Sequence, residues 1–259
     1  MERLEPPSVR GDCPIVLVTQ EGAVRTITLN RPDRLNAVND AMVQRLTEAL
    51  EQCLDVEVRT VVLRGAGRAF CSGHDLKEPG VDSSPDAARS RLQRLQDLTR
   101  LLERIPAPVI TVVHGWAVGA GAELALASDL VMATHSAKFR FPEVNVGLAI
   151  TNGASRILAH AIGPQRAKRL TLLGETIDAE SLYQMGLVSH LVADVELDAA
   201  LSRLVAVTSS LPPVSARLTK ELLNHGADSD MEAALQAEVE ASIRLQPDEY
   251  AGEKGIARA

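Results

Sequence analysis

Chemistry in this sequence is most legible where apolar strands give way to glycines. One such place runs Val109-Ile-Thr-Val-Val-His-Gly-Trp-Ala-Val-Gly-Ala-Gly-Ala-Glu123-Leu-Ala-Leu-Ala-Ser-Asp129 and reads as a strand, a glycine-rich turn and a helix. Gly119, Ala120 and Gly121 stand where that helix should begin. The first N–H groups of a helix lack an internal partner and carry the positive end of its dipole. With small side chains around them they could serve as half of an oxyanion hole, although close packing of a tight turn would ask for the same glycines. Glu123 falls in the first helical turn, where an acidic residue ordinarily does no more than complement the dipole. A second place is Gly65-Ala-Gly-Arg-Ala-Phe-Cys-Ser-Gly-His-Asp-Leu76, after another apolar strand. Neither segment is GxGxxG, since the sixth position is Phe70 in one and Leu124 in the other, and no GK[ST] follows, so nucleotide phosphate has little support. Ser72, His74 and Asp75 are too close in sequence to meet as a catalytic triad.

The elements that must position these segments follow from periodicity. Residues 15–19 and 24–29 suggest a strand pair around Gln20-Glu21-Gly22, and residues 40–54 a helix whose apolar face is Met42, Val43, Leu46, Ala49 and Leu50. Further strands are expected at 60–63, 109–113 and 130–133, with helices at 91–102 (Leu92, Leu95, Leu98, Leu101 and Leu102 inward), 122–127, 167–173 and 179–185. Residues 79–85 form a Pro/Gly/Ser/Asp loop. Alternating strands and helices predict an α/β fold with parallel wrapping. From residue 196 onward only helices are expected, at 197–209, 214–223 and 231–245, so a core of residues 1–195 and a helical region of 196–259 are distinguished.

Composition narrows the function. The chain has 259 residues, 46% of them apolar and only 2% aromatic, so the core must be built from Ala, Leu, Val and Ile. A net charge of −7 argues against nucleic acid and against a polybasic membrane surface. No apolar run approaches 18 residues and no signal-peptide pattern opens the chain, which suggests a cytoplasmic protein. Cys13, Cys53 and Cys71 are odd in number and widely spaced, so reduced thiols are expected rather than a disulfide framework or zinc site. His114, His135, His160, His190 and His225 show no metal-ligand spacing, and Trp116 is expected in the core.

Five stretches, in order, resemble the enoyl-CoA hydratase/isomerase (crotonase) superfamily. They are Leu29-Asn-Arg-Pro-Asp-Arg-Leu-Asn-Ala37, Ala69-Phe-Cys-Ser-Gly-His-Asp-Leu-Lys77, the turn and helix of residues 114–129, Phe139-Arg-Phe-Pro-Glu-Val144 and Gly186-Leu-Val188. The resemblance implies a crotonase-like spiral of ββα turns with a C-terminal helical region, assembled as a homotrimer or hexamer. It implies an acyl-CoA thioester substrate whose enolate is held by the main-chain N–H groups of His74 and Ala120, and a hydratase acid/base pair, Glu123 and Glu143, with Glu143 the better proton donor to Cα. Contacts to coenzyme A or substrate are implied for Arg34, Leu35, Ala37, Ser72, Gly73, Asp75, Leu76, Lys77, Gly119 and Thr151, with the acyl group against the 79–85 loop and the helix after it. No metal or redox cofactor is implied, coenzyme A being part of the substrate. Hydration of a 2-enoyl-CoA leads; isomerisation, thioester hydrolysis, C–C cleavage or acyl-CoA binding without chemistry are the alternatives. Two departures stand out. Many hydratases carry Pro-Gly-x-Gly-Gly after the second glutamate, where this chain has Ile150-Thr-Asn-Gly-Ala154, so Thr151 replaces a glycine whose amide helps hold the water. The tail 248–259 also lacks the usual Ala-Phe and Lys-Arg pattern.

Overall fold

A computed structural model of the chain describes residues 14–76, 84–226 and 228–245. Cys13, Lys77, most of the 79–85 loop and the 248–259 tail lie outside the described residues. The chain opens with a hairpin, β1 (Val16–Glu21) and β2 (Val24–Leu29), followed by α1 (Asp40–Glu51), β3 (Thr60–Gly65) and α2 (Pro85–Arg104). Next come β4 (Val109–Val113), β5 (Trp116–Val118), α3 (Ala120–Leu126), β6 (Leu130–Thr134), β7 (Lys138–Arg140) and α4 (Ala154–Leu173). The remainder is β8 (Ile177–Asp178), α5 (Ala179–Gln184), β9 (His190–Val192), then α6 (Leu197–Ser210), α7 (Pro213–Gly226) and α8 (Met231–Arg244).

The larger sheet has the order β1-β2-β3-β4-β6-β9, antiparallel only at the β1–β2 hairpin. A second sheet, β5-β7-β8, runs beside it, and a bridge from Cys71 to Ala117 extends it by one more pass of the chain. Each turn therefore contributes a strand to the large sheet, a shorter one to the second sheet, and a helix. That repeat is a ββα spiral. The paired second strands alternate with the pleat: Ala117 and Phe139 face the core while Trp116 and Lys138, each one residue before, do not.

One face of the large sheet is covered by α1 and α2, which pack Met42, Leu46 and Leu50 beside Leu95, Leu98 and Leu102. Each such buried side chain stabilises the fold by about 1.5–3 kcal/mol. The other face takes α6, whose Leu197, Leu201, Leu204 and Val205 lie over Val62, Ile110 and Val112. Thr208 reaches from α6 to Thr60 at the start of β3, with 2.9 Å between hydroxyls. Among the described residues no helix is long and apolar enough to cross a membrane.

Several expectations need correction. Helix α2 starts at Pro85, well before residue 91, because Ser84 caps it and Pro85 sits at its first position; its polar opening turns show no apolar periodicity. That half runs clear of the core, so Leu92 is 47% exposed rather than inward. Trp116 is 41% exposed rather than buried, on the outer side of β5. Helix α4 begins at Ala154 instead of 167: Gly163, at φ 77°, breaks it before Pro164, and the two halves do not share one apolar stripe. The 122–127 helix begins two residues earlier, so Gly119 becomes the residue that enters it. Cys53 and Cys71 are buried free thiols.

Asn36 ties two loops of the spiral together. It is fully buried at φ 56°, a left-handed conformation that asparagine tolerates better than most residues. Its amide nitrogen lies 2.9 Å from the carbonyls of Ala66 and Ala69 and 3.0 Å from that of Phe70, while its Oδ1 accepts from the Arg31 N–H at 2.9 Å. Replacing it by alanine strands those carbonyls away from water. The expected loss for Asn36→Ala is about 2–4 kcal/mol, measured as the shift in denaturant midpoint; a loss under about 1 kcal/mol would contradict this account.

Candidate active site

The two glycine turns meet. Gly119 enters α3 at φ 53° and ψ −127°, and Gly73 stands at φ 87°, both backbone states that disfavour side chains. A Cβ on Gly73 would sit 2.6 Å from the Val118 carbonyl and 3.7 Å from the Ala120 nitrogen, so the loop before His74 lies directly against the start of α3. A Cβ on Gly119 would lie 2.8 Å from Oε1 of Glu143, which places that carboxyl against the same turn. Among the described residues neither the His74 nor the Ala120 N–H has a hydrogen-bond acceptor. Two unspent main-chain donors thus belong to neighbouring turns, with a carboxyl group beside one of them.

Glu123 is fully buried on α3 and is held by the segment before α4. Its Oε1 accepts from the Thr151 N–H at 2.8 Å, and its Oε2 from the Thr151 hydroxyl at 2.6 Å and the Asn152 amide at 3.3 Å. Burial raises its pKa, and the three donors oppose that rise. Asn152, itself buried at φ 49°, makes the bend that aims the Thr151 amide at the carboxylate. The Thr151 amide, expected to help hold a water, is therefore spent on Glu123.

Glu143 opens the 3-10 turn Glu143–Val146 after Pro142 and is 7% exposed. Burial pushes its pKa up to about 7; a hydrogen bond from its own backbone opposes the shift, and the Glu123 charge adds to it. Its Oε2 is buried with no hydrogen-bond partner among the described residues. The two acids differ in degree: Glu123 has three donors that favour the anion, whereas Glu143 has only its own backbone donor and faces a like charge.

The remaining expected residues form a rim. The Ser72 N–H donates to the Leu35 carbonyl at 2.9 Å and its hydroxyl to that of Arg34 at 3.3 Å, so the 34–37 and 72–76 segments lie side by side. Arg34 and Leu76 are exposed on this rim, Leu35 is half-buried, and Ala37 is buried. The carboxylate of Asp75, a residue expected among the substrate contacts, lies 2.9 Å from Arg31. Lys77 lies outside the described residues. A cavity of about 940 Å³ opens away from this rim, between α2, α4 and α7, with Thr99, Leu126, Ile157 and Lys220 among its walls; neither glutamate lines it.

Sequence reasoning missed Arg31, Asn36, Asn152 and the Thr151 hydroxyl as parts of this assembly. Asn30-Arg-Pro and Ile150-Thr-Asn were both visible as motifs, but each partner group lies far along the chain.

Comparison with known proteins agrees with this architecture. The family profile described as enoyl-CoA hydratase/isomerase matches residues 19–257. The 1,2-epoxyphenylacetyl-CoA isomerase of Escherichia coli K12 is 37% identical over 227 residues, covering 86% of this chain and 87% of that protein. An enoyl-CoA hydratase structure from Mycobacterium smegmatis superposes with a TM-score of 0.87 at 33% identity, over 92% of this chain and 94% of that one. A Thermobifida fusca YX protein, whose structure was determined in complex with acetoacetyl-CoA, gives 0.82 at 34% identity, over 89% of this chain and 94% of that one. With these matches spanning most of its length, the spiral is a crotonase fold and the chain belongs to the enoyl-CoA hydratase/isomerase family.

Proposed function

We propose that the protein hydrates a 2-enoyl-CoA to a 3-hydroxyacyl-CoA. The observation that carries this reading is the pair of buried carboxyl groups of unequal hydrogen-bonding character beside two unspent main-chain donors. The thioester oxygen sits between the N–H groups of His74 and Ala120. Negative charge develops on that oxygen as the enolate forms, and each preorganised donor stabilises the transition state by about 3–4 kcal/mol. Glu123, whose three donors favour the anion against its burial, takes a proton from water as the water oxygen bonds to Cβ. Glu143, protonated over a useful fraction of neutral pH, gives its proton to Cα. Water is thereby added across the double bond, and proton exchange returns Glu123 and Glu143 to their starting states. Because Thr151 is committed to Glu123, the water is held by the two carboxyl groups.

Addition of water leaves no net oxidation or reduction, and the amides answer the developing charge, so the reaction as drawn uses no metal and no redox cofactor. Arg34, Leu35, Ala37, Ser72, Gly73, Leu76, Lys77 and Gly119 supply the rim and floor for coenzyme A and the thioester. Residues 1–195 carry this chemistry and residues 196–259 assembly into trimers. Met231, Leu235, Val239 and Ile243 recur at every fourth position of α8 and are all exposed, which supports burial against other copies.

Double-bond isomerisation is the second reading. It is favoured by the use of the Thr151 amide on Glu123. One assay separates the two. Hydration removes the absorbance of the conjugated thioester when 2-enoyl-CoAs of short, long and aromatic chain are supplied, and isomerisation creates that absorbance from 3-enoyl-CoAs. Absence of turnover on every 2-enoyl-CoA would end the hydratase reading. Glu123→Gln and Glu143→Gln should each lower kcat by about 10²–10⁴-fold while acyl-CoA affinity stays within roughly threefold.

Glu143 also predicts a pH signature. Its protonated form is favoured by folding, so its contribution is full below the ordinary value of 4.5 and is lost as pH rises toward about 7. Glu143→Gln cannot ionise and escapes that loss. Melting curves should show the variant gaining on the wild type between about pH 5 and 8; a constant difference across that window would refute the buried, proton-binding Glu143.

A further inference from the structure

We propose that Arg31 is a positioning residue for the oxyanion pair: its ion pair with Asp75 fixes the main-chain N–H of His74 in the direction that receives the thioester oxygen. This rests on the reading of His74 and Ala120 as the carbonyl-binding donors.

The case comes from an inventory of hydrogen bonds. Along residues 71–76, Cys71 N–H donates to the Trp116 carbonyl, Ser72 to Leu35, Gly73 weakly to the Cys71 sulfur, Asp75 to Val38 and Leu76 to His74. Only the His74 N–H is left over among the described residues. His74 is an exposed residue, so its N–H, without an acceptor on an otherwise well-bonded segment, is open to a ligand. Val38 brackets it: its N–H donates to the Gly73 carbonyl and its carbonyl accepts from Asp75 N–H, each at 2.8 Å. In a parallel bridge the groups of the central residue point away from the partner strand, here away from Val38, and the residue before it, Gly73, lies against the start of α3.

That bridge is a single pair of bonds, and Arg31 reinforces both of its ends. One guanidinium nitrogen lies 2.9 Å from Asp75 Oδ2, and another donates to the Ala37 carbonyl at 2.5 Å. Residue 37 immediately precedes Val38, and residue 75 immediately follows His74. Arg31 is anchored in turn by reciprocal bonds with Asn36, N–H to Oδ1 and carbonyl to N–H, both 2.9 Å. The ion pair is little exposed, 17% for Arg31 and 10% for Asp75, so solvent screening is weak. The planar fork of arginine suits this double task, because a lysine ammonium reaching Asp75 would have to leave Ala37.

A purely structural ion pair can be replaced by apolar side chains with little loss of stability, whereas a positioning pair cannot be replaced without loss of function. The decisive variant is therefore Arg31→Met/Asp75→Leu, compared with Arg31→Met and Arg31→Lys. The readouts are melting temperature, kcat and KM for enoyl-CoA turnover, and the infrared shift of the thioester carbonyl of bound cinnamoyl-CoA, which reports polarisation by the two N–H groups and needs no turnover. The double variant should melt near the wild type, lose on the order of 10²-fold in kcat with KM changed less than about threefold, and return the carbonyl band most of the way to its position in free thioester. Arg31→Lys should recover part of both the rate and the band shift lost in Arg31→Met. A folded double variant with wild-type band position and kcat would overturn the proposal. If the double variant does not fold, Arg31→Lys decides: a band position equal to that of the wild type, despite the lost contact to Ala37, would also overturn it. An unshifted carbonyl band in the wild-type protein would instead remove the carbonyl-binding reading of His74 and Ala120, and the role of Arg31 with it.

Discussion

Glu123 and Glu143 are both buried, and the charge of Glu123 adds to the burial that raises the pKa of Glu143, so ionising one acid opposes ionising the other. The asymmetry is built from the backbone. Asn152 bends the chain so that Thr151 presents an N–H and a hydroxyl to Glu123, while Pro142 and the 3-10 turn bring Glu143 in without donors of comparable number. Like-charge repulsion and burial then push in one direction on Glu143, whereas on Glu123 burial is opposed by three donors. Local hydrogen bonding thus distinguishes two carboxyl groups of the same residue type.

Holding such a pair inside a protein is costly, because an ionised carboxylate loses much of its hydration there. The spiral offsets that cost with a parallel sheet covered on both faces, α1 and α2 on one side and α6 on the other. It also restricts motion. Gly119 has space for no side chain on the Glu143 side, and Gly73 none on the Val118 side, so the two turns touch through backbone alone. Chemistry that depends on main-chain donors needs this kind of contact, since a side chain between the turns would separate the donors and fill the space meant for a ligand.

Legibility in the sequence followed range. The strands β1 to β4 and β6 and the helices α1, α6, α7 and α8 could be read because each carries its own apolar period over a full element. The strands β5, β8 and β9 could not, being two or three residues long and defined by partners elsewhere. Trp116 and Leu92 were misjudged for a related reason: an apolar side chain does not reveal whether its element faces the core at that point. At the site, the glycine turn before α3 was visible as a helix start, but the pairing of Ala120 with His74, and of Glu123 with Glu143, came from resemblance to a family. The ion pair of Arg31 and Asp75 and the three carbonyls held by Asn36 were invisible. Each joins groups some thirty to forty residues apart in sequence, and no local pattern announces which buried polar group will meet which.

This separation of levels bears on how one architecture serves several reactions. Donors made of backbone persist through side-chain replacement, so a histidine at 74 and an alanine at 120 are compatible with the same thioester geometry as other residues would be. On the proposed function, stabilisation of an enolate therefore depends on the backbone of these two turns. The fate of that enolate depends on what surrounds the carbon atoms, and there the decisive segment is 150–154. Thr151 adds a hydroxyl donor beside an amide that a glycine would also supply, and both donors favour the Glu123 anion and oppose the rise in pKa that burial causes. On the proposed function, the donors that Thr151 and Asn152 give Glu123 are therefore where a change of sequence would alter the chemistry and leave the fold as it is.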